Sequence, residues 1–109
     1  MRIKAYIKDI AYYLPKKVEE NTDERLRQKT GIEHRHVAAT DETAADMAVK
    51  TAENLFETVS RESIDYLLFC TQSPDYYLPT TACILQDRLG LSKHCGALDY
   101  NHGCTGYIY

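Results

Sequence analysis

The chain has no tryptophan, only two phenylalanines and three prolines, and no excess of positive charge. Its formal net charge of -3 excludes the broad basic surface that proteins use to bind nucleic acid backbones. It also has no apolar run long enough to span a bilayer, and residues 1–8 alternate apolar and charged side chains, unlike a signal peptide. These absences predict a cytoplasmic globular protein with neither a nucleic acid nor a membrane as partner.

The cysteines lack the spacing of a disulfide scaffold or a zinc site. They stand at positions 70, 83, 95 and 104, without a Cys-x-x-Cys pair. Because the sequence shows no secretory signal, we expect reduced thiols. His34 with His36, and His102 with Cys104, are short ligand pairs, but neither has a second pair at a suitable distance. We therefore predict no metal site.

Length and composition predict one domain, or part of one. The chain has 109 residues, of which 44% are hydrophobic and 27% charged. These values are ordinary for a globular protein with a small core. Internal repeats and linker-like segments are both missing, so we assign residues 1–109 to a single domain.

The first third of the sequence carries weak secondary-structure signals. Alternation over 2–13 predicts a strand that ends at Leu14-Pro15. A short charged helix follows, with Asn21 or Thr22 as N-cap and Gly31 as its stop. Residues 31–39 show no periodicity, which predicts an extended connection.

The remainder alternates helices with strands. After Thr40-Asp41, apolar residues recur at helical spacing from Ala44 to Val59. The apolar run 64–70 predicts a parallel strand covered on both faces. A loop over 72–79, a helix from 80 or 81 to Gly90 and a strand over 95–100 complete an α/β order. In such folds ligands bind at the carboxyl ends of the strands.

Cys104 follows one of these strand ends. Gly103 and Gly106 flank it at positions that suit a tight turn, and the residues after it can open a helix. At a helix N-terminus the dipole favours the thiolate, and backbone N–H groups can hold an oxyanion. The sequence therefore offers Cys104 as a nucleophile. The alternative is a buried structural thiol, since free cysteines are often buried.

Several ordered segments resemble the N-terminal half of 3-oxoacyl-[acyl-carrier-protein] synthase III, a condensing-enzyme family of the thiolase-like superfamily. Each segment is a weak match alone, but their order is specific. The segments are 31–38, Glu42-Thr43, Met47-Ala48, 64–71, 79–86, Leu89-Gly90 and 99–106. The resemblance implies an α/β thiolase-like fold, with a mainly parallel mixed sheet flanked by helices. It also implies a homodimer, and a C-terminal half that these residues do not include.

For function, the resemblance implies that Cys104 accepts an acyl group from a thioester of coenzyme A or acyl carrier protein. The acyl-enzyme then condenses with malonyl-acyl carrier protein in fatty acid biosynthesis, without a further cofactor. The family takes its assisting histidine and asparagine from the second half, so we expect these residues alone not to complete the condensation. We expect His102 to pack locally or to act as a cap. Faces and edges that the second half would cover are expected to be bare, and they should cause self-association or poor solubility.

Two further positions carry expectations about substrate binding. Family members that use coenzyme A typically have a tryptophan and an arginine before the Thr-Gly-Ile segment. Here Arg25 or Leu26 lies near the first position, and Lys29 lies near the second. Lys29 either offers a point charge to phosphate or is only a solvated charge. If coenzyme A is not the acyl donor, an acyl group bound to carrier protein is the natural substitute. Leu78 matches a position that reaches the partner subunit's acyl pocket, or else it packs within its loop.

Two alternative functions stay open at this point. One is a related condensing enzyme of polyketide or other specialised lipid synthesis. The other is a thiolase-like half that lacks catalysis and serves as a dimerisation module.

Overall fold

The computed structural model describes residues 4–109, which divide into two compact units. One unit combines the residues up to Tyr13 with Ala44–Tyr109, and we call it the core unit. The other is Leu14–Thr43, which we call the strand-pair unit. The assignment of residues 1–109 to one domain stays a prediction.

The strand-pair unit consists of two short strands joined through a helix. These are β1 (Lys17–Glu20), α1 (Glu24–Thr30) and β2 (His34–Val37). The strands pair antiparallel, with Lys17 opposite Val37 and Glu20 opposite His34. The sequence predicted only an extended connection over 31–39, and it did not predict β1. Both strands are mostly polar and exposed, so they lack the alternating apolar residues that signal a half-buried strand.

Helix α1 confirms the predicted charged helix but begins later than expected. The N-cap is Asp23, whose carboxylate accepts a hydrogen bond from the Leu26 N–H at 3.1 Å. The predicted caps Asn21 and Thr22 are therefore wrong. The side-chain oxygen of Asn21 instead accepts from the Asp23 N–H at 3.3 Å, and its side-chain amide donates to the Ile32 carbonyl at 3.1 Å. Asn21 thus links the two strand ends.

Gly31 ends α1, as predicted. Its φ of 72° lies in the left-handed region, which glycine adopts without a steric penalty. Its N–H donates to the Arg27 carbonyl at 2.8 Å.

From Ala44 onward the core unit has the predicted order of helices and strands. Its elements are α2 (Ala44–Leu55), β3 (Tyr66–Cys70), α3 (Thr81–Arg88) and β4 (Gly96–Tyr100), with short 3-10 turns at Arg61–Ser63 and Cys104–Tyr107. Strands β3 and β4 pair in parallel, with Tyr66 opposite Gly96 and Cys70 opposite Tyr100. Because the strands are parallel, both end at the same edge of the sheet.

One face of this sheet packs against α2 and α3. The buried cluster consists of Ala45, Leu85, Leu89, Leu91 and Cys95. Leu67 and Phe69, which alternate along β3, pack against it from the sheet. Small residues of α2 such as Ala45, which is 0% exposed, allow the helix to lie close to its neighbours. Burial of these side chains is the main stabilising contribution to the unit.

The opposite face of the sheet is exposed. Tyr66, Leu68 and Leu98 retain 57%, 55% and 48% of their accessible surface. Within residues 4–109 no element covers this second face, so cover on both faces of the strand over 64–70 stays a prediction. Successive side chains of a strand point to opposite faces, so α2 and α3 can cover only every second residue of β3.

The strand predicted over 2–13 is also wrong for the part that the structure describes. Residues 4–13 are assigned to no strand, while Arg2 and Ile3 lie outside the described residues. The segment is held by side-chain bonds instead. The Asn54 amide donates to the Tyr12 carbonyl at 3.1 Å, and the Thr58 hydroxyl donates to the Asp9 carboxylate. An alternating pattern forms a strand only where a strand edge is available for pairing.

Within the part of the chain that the structure describes, no helix combines the length and the apolar character needed to cross a membrane.

Candidate functional site

Cys104 lies just beyond the carboxyl end of β4. It opens the 3-10 turn that runs to Tyr107, and Gly103 precedes it with φ of -79° and ψ of -141°. The sequence predicted the start of a helix here, and among residues 4–109 that start is this single turn. The Cys104 side chain is exposed, which contradicts the interpretation as a buried structural thiol. A reactive group at this position can meet a substrate that approaches the strand ends.

The end of β3 contacts the same turn. The Thr71 N–H donates to the Tyr100 carbonyl at 3.2 Å and extends the pairing beyond the strands. The Cys70 thiol donates to the His102 carbonyl at 3.3 Å between sulfur and oxygen. The Tyr100 hydroxyl donates to the Gly106 carbonyl at 2.8 Å. The Cys104 turn is therefore held by side chains from both strands.

The two glycines beside Cys104 differ in how strictly the site requires them. A Cβ atom at Gly106 would lie 2.2 Å from the Cys70 sulfur and 3.0 Å from the His102 Cβ, so no larger residue fits without movement. A Cβ atom at Gly103 would lie 3.4 Å from the Gln72 side-chain oxygen, an ordinary contact. The close approach inferred from sequence is therefore found at Gly106.

Tyr100 has a perturbed hydroxyl. Its partial burial raises its pKa above the ordinary tyrosine value, and the neighbouring Cys70 thiol raises the pKa further. Both effects disfavour the phenolate. The hydroxyl therefore remains protonated near neutral pH and continues to donate to Gly106.

His102 packs locally, as expected from sequence. Its ring centroid lies 5.1 Å from that of Tyr109 and 6.0 Å from that of Tyr100. These tilted ring contacts are within the range at which aromatic rings attract each other. They place the imidazole beside the ring of the last residue of β4 and a ring that follows the Cys104 turn.

A groove opens beside the turn, along the loop that follows β3. Its volume is about 450 Å³. The lining residues are Gln72, Ser73, Pro74, Asp75, Tyr76, Tyr77 and Asn101. The Asp75 carboxylate accepts from the Ala45 N–H at 3.4 Å, so this loop also holds the first turn of α2. The loop continues to Leu78, which is 82% exposed and precedes a cis peptide bond to Pro79.

Asp99 has a structural role that the sequence reasoning missed. Its two carboxylate oxygens accept from the Thr81 and Ala82 N–H groups, each at 2.6 Å. This bond pair caps α3 from the neighbouring strand, where the helix dipole also favours a negative charge. The only sign of this role in the sequence was a single carboxylate within the otherwise apolar strand predicted over 95–100.

The predicted site residues fall in different units. Cys104 and Leu78 both lie in the core unit, whereas Lys29 lies in α1 of the strand-pair unit, where it is exposed. Among residues 4–109 there is no cluster of three or more histidine, cysteine or acidic side chains that could bind a metal. All four cysteines are free thiols, and of these Cys95 is buried.

Comparison with known proteins found similar chains both among sequences and among solved structures. No family model matches the chain. A beta-ketoacyl-[acyl-carrier-protein] synthase III from Sulfurovum sp. is 38% identical over 96% of this chain and 34% of its own length. A solved 3-oxoacyl-(acyl-carrier-protein) synthase III superposes with a TM-score of 0.87 at 47% identity, covering 94% of this chain and 34% of that one.

A second solved structure, the Thermus thermophilus synthase III, gives a TM-score of 0.84 at 34% identity over 96% of this chain and 36% of its own. In each case the chain spans about a third of the length of the protein it matches.

Proposed function

Because this chain belongs to the beta-ketoacyl-[acyl-carrier-protein] synthase III family, with its thiolase-like α/β fold, we propose that the protein carrying it is an acyltransferase of fatty acid biosynthesis. Cys104 is its nucleophile. The observation that supports this role is the exposed thiol on a turn at the carboxyl ends of two parallel strands, held by bonds before and after it. The protein acts in the cytoplasm.

The first step is acyl transfer to Cys104. The thiolate attacks the carbonyl carbon of an acyl thioester, and backbone N–H groups stabilise the tetrahedral oxyanion. The intermediate collapses with cleavage of the original carbon–sulfur bond. Coenzyme A or the carrier protein leaves as a thiolate and takes up a proton, and the acyl group remains on Cys104.

The second step forms a carbon–carbon bond. Malonyl-acyl carrier protein loses carbon dioxide, and the resulting carbanion attacks the acyl carbonyl on Cys104. The thiolate leaves, and 3-oxoacyl-acyl carrier protein is the product. The family supplies the histidine and asparagine for this step from its second half. We therefore expect residues 1–109 alone to be inactive in the complete condensation.

Lys29 and Leu78 are the proposed substrate-binding residues. The exposed Lys29 ammonium can attract the phosphate of coenzyme A or of a carrier protein's prosthetic group as a point charge. Leu78 is 82% exposed in its loop and is therefore free to contact the acyl pocket of the partner subunit in a homodimer. Acyl carrier protein is the protein partner. No cofactor is required besides the thioester substrates.

The complete reaction tests this proposal in the full-length protein. The assay supplies an acyl thioester and malonyl-acyl carrier protein, and mass spectrometry detects 3-oxoacyl-acyl carrier protein. We expect Cys104→Ala to abolish the product. The matched control is Cys83→Ala, which removes another exposed thiol and leaves the product unchanged. Product formation by the Cys104→Ala variant would overturn the assignment, and a preference for polyketide or other specialised acyl groups would move the protein to that class of synthase.

A further inference from the structure

The last residues of β3 and β4 hold the Cys104 turn from its two sides. Cys70 and Tyr100 are direct partners in the parallel register. The Cys70 thiol donates to the carbonyl of His102, and the Tyr100 hydroxyl donates to the carbonyl of Gly106. These carbonyls belong to the residues two positions before and two positions after Cys104. Both ends of the five-residue segment 102–106 are thus fixed by one pair of opposed side chains.

The packing at this contact is as tight as the hydrogen bonding. Gly106 is buried, although Thr105 and Tyr107 on either side of it are exposed. A Cβ atom at Gly106 would lie 2.2 Å from the Cys70 sulfur and 3.3 Å from the Tyr100 ring. The backbone of the turn therefore rests directly on the same two side chains that bond its carbonyls.

We propose that Cys70 and Tyr100 form a brace that positions the backbone of the Cys104 turn for acyl transfer. This inference rests on the proposed function, in which Cys104 is the nucleophile. Both are positioning residues, because the contacts that assign their role are with the backbone of the turn. The first N–H groups of a helical turn have no partner within it, and they stabilise an oxyanion only where they point at it. A misplacement of about 1 Å at such a site can cost about 100-fold in rate.

The brace has a different effect on two reactions of the same thiol. Acyl transfer passes through an oxyanion that needs aligned N–H groups. Alkylation by iodoacetamide displaces iodide from carbon in a single step, and no oxyanion forms. Loss of alignment therefore slows acylation and spares alkylation, whereas collapse of the turn would change both reactions together.

The experiment measures both rate constants in the full-length protein, by the mass of the Cys104 peptide after timed exposure to an acyl-coenzyme A or to iodoacetamide. We expect Tyr100→Phe to lower the acylation rate about tenfold and to leave alkylation within about twofold. Cys70→Ala lowers acylation in the same direction. Cys70→Ser keeps a donor at the position, so it recovers part of the rate that Cys70→Ala loses.

Matched controls separate the brace from general effects. Tyr6→Phe removes the hydroxyl of a tyrosine that is 82% exposed, and Cys83→Ala removes an exposed thiol elsewhere in the core unit. Both should leave the two rates unchanged, and thermal unfolding verifies that each variant is folded. If Tyr100→Phe fails to fold, the Cys70→Ala and Cys70→Ser pair still decides the question.

Each outcome gives a distinct conclusion. Acylation of wild-type Cys104 with no selective loss in the Tyr100 and Cys70 variants overturns the brace and leaves the proposed function intact. A parallel fall of acylation and alkylation also overturns it. If wild-type Cys104 is alkylated but never acylated, the proposed function is wrong. The brace is then overturned with it, because its proposed role is to position the turn for acyl transfer.

Discussion

The two units of the chain are stabilised by different interactions. The core unit buries a cluster of apolar side chains, among them Leu85 at 2% exposure. Of residues 14–43 in the strand-pair unit, all of which the structure describes, only Pro15 is buried. That unit depends on strand pairing, helix caps and exposed ion pairs, each of which contributes little free energy by itself.

This difference matches the chemistry that we assign to each unit. A nucleophile and its oxyanion site must be held within a fraction of an ångström, which requires support from packed neighbours. Cys104 has such support from Cys70, Tyr100 and the contact at Gly106. The proposed task of Lys29 is only to supply positive charge. Charge attraction falls gradually with distance and tolerates an exposed position.

The largest expected effect tests whether the core is confined to one unit. Leu85→Ala should destabilise the core unit by about 2–5 kcal/mol, because it removes buried contacts and leaves a cavity. The matched control Leu26→Ala truncates a leucine of α1 that is 51% exposed, and it should cost less than about 1 kcal/mol. Urea unfolding measures both values. Equal losses would show that the comparison between the units is wrong.

The next effect tests the tight contact beneath Cys104. Gly106→Ala should cost about 1–3 kcal/mol, since its Cβ atom has no room beside the Cys70 sulfur. It should also slow labelling of Cys104 by an acyl thioester. Gly103→Ala is the control, because its Cβ atom would meet only ordinary contacts. If Gly103→Ala reduces stability and labelling as much as Gly106→Ala does, the contact with Cys70 is not what holds the turn.

A third prediction compares the helix caps of the two units. Asp99→Ala removes the acceptor of two N–H groups at the start of α3, where Thr81 and Ala82 are buried. Buried donors without partners are costly, so we expect a loss of about 2 kcal/mol. Asp23→Ala removes an exposed cap of α1 and should cost about 1 kcal/mol or less. Hydrogen exchange of the first-turn amides measures the loss of stability in each helix. A greater loss from Asp23→Ala in α1 than from Asp99→Ala in α3 would contradict this prediction.

The smallest predicted effects concern pH, and they have opposite signs in the two units. The Lys17 ammonium, followed by the Arg35 guanidinium, lowers the pKa of Glu19 below its ordinary value. A lowered folded-state pKa gives stability that is present above the unfolded pKa and lost as the pH falls through the folded pKa. Acid should therefore weaken the β1–β2 pairing. Glu19→Gln should remove that dependence, as followed by amide exchange in β1.

In the core unit the raised pKa of Tyr100 gives the reverse dependence. Its stabilisation is present below the unfolded pKa and lost as the pH rises through the folded pKa. Alkali should therefore loosen the Cys104 turn, and Tyr100→Phe should abolish this effect. A Tyr100→Phe variant with an unchanged alkaline profile would assign the loosening to another group.

The sequence predicted the core unit better than the strand-pair unit, for a physical reason. Helices α2 and α3 and strands β3 and β4 each bury apolar side chains, and burial leaves apolar periods or apolar runs in the sequence. Strands β1 and β2 bury almost none of their side chains. Their conformation is fixed by pairing between residues that are distant in the sequence, which leaves no local pattern. The same lack of a local signal displaced the predicted cap of α1 from Asp23 to Asn21 or Thr22.

The candidate site shows the same limit. The position of Cys104 after a strand could be read from sequence, because the apolar run and the glycines are adjacent to it. The bonds from Cys70 to His102 and from Tyr100 to Gly106 could not, since they exist only once β3 and β4 are paired. Asp99 was visible only as an isolated carboxylate, without an indication that it caps α3.

The central claim is that Cys104 is the acyl-accepting thiol, and one measurement tests it most directly. The full-length protein is incubated with an acyl thioester, digested, and mapped by mass spectrometry over all four cysteines. We predict one acyl group on Cys104, none on the exposed thiols Cys70 and Cys83, and no adduct in Cys104→Ala. An acyl group that persists in Cys104→Ala, or that resides on another cysteine, would contradict the claim.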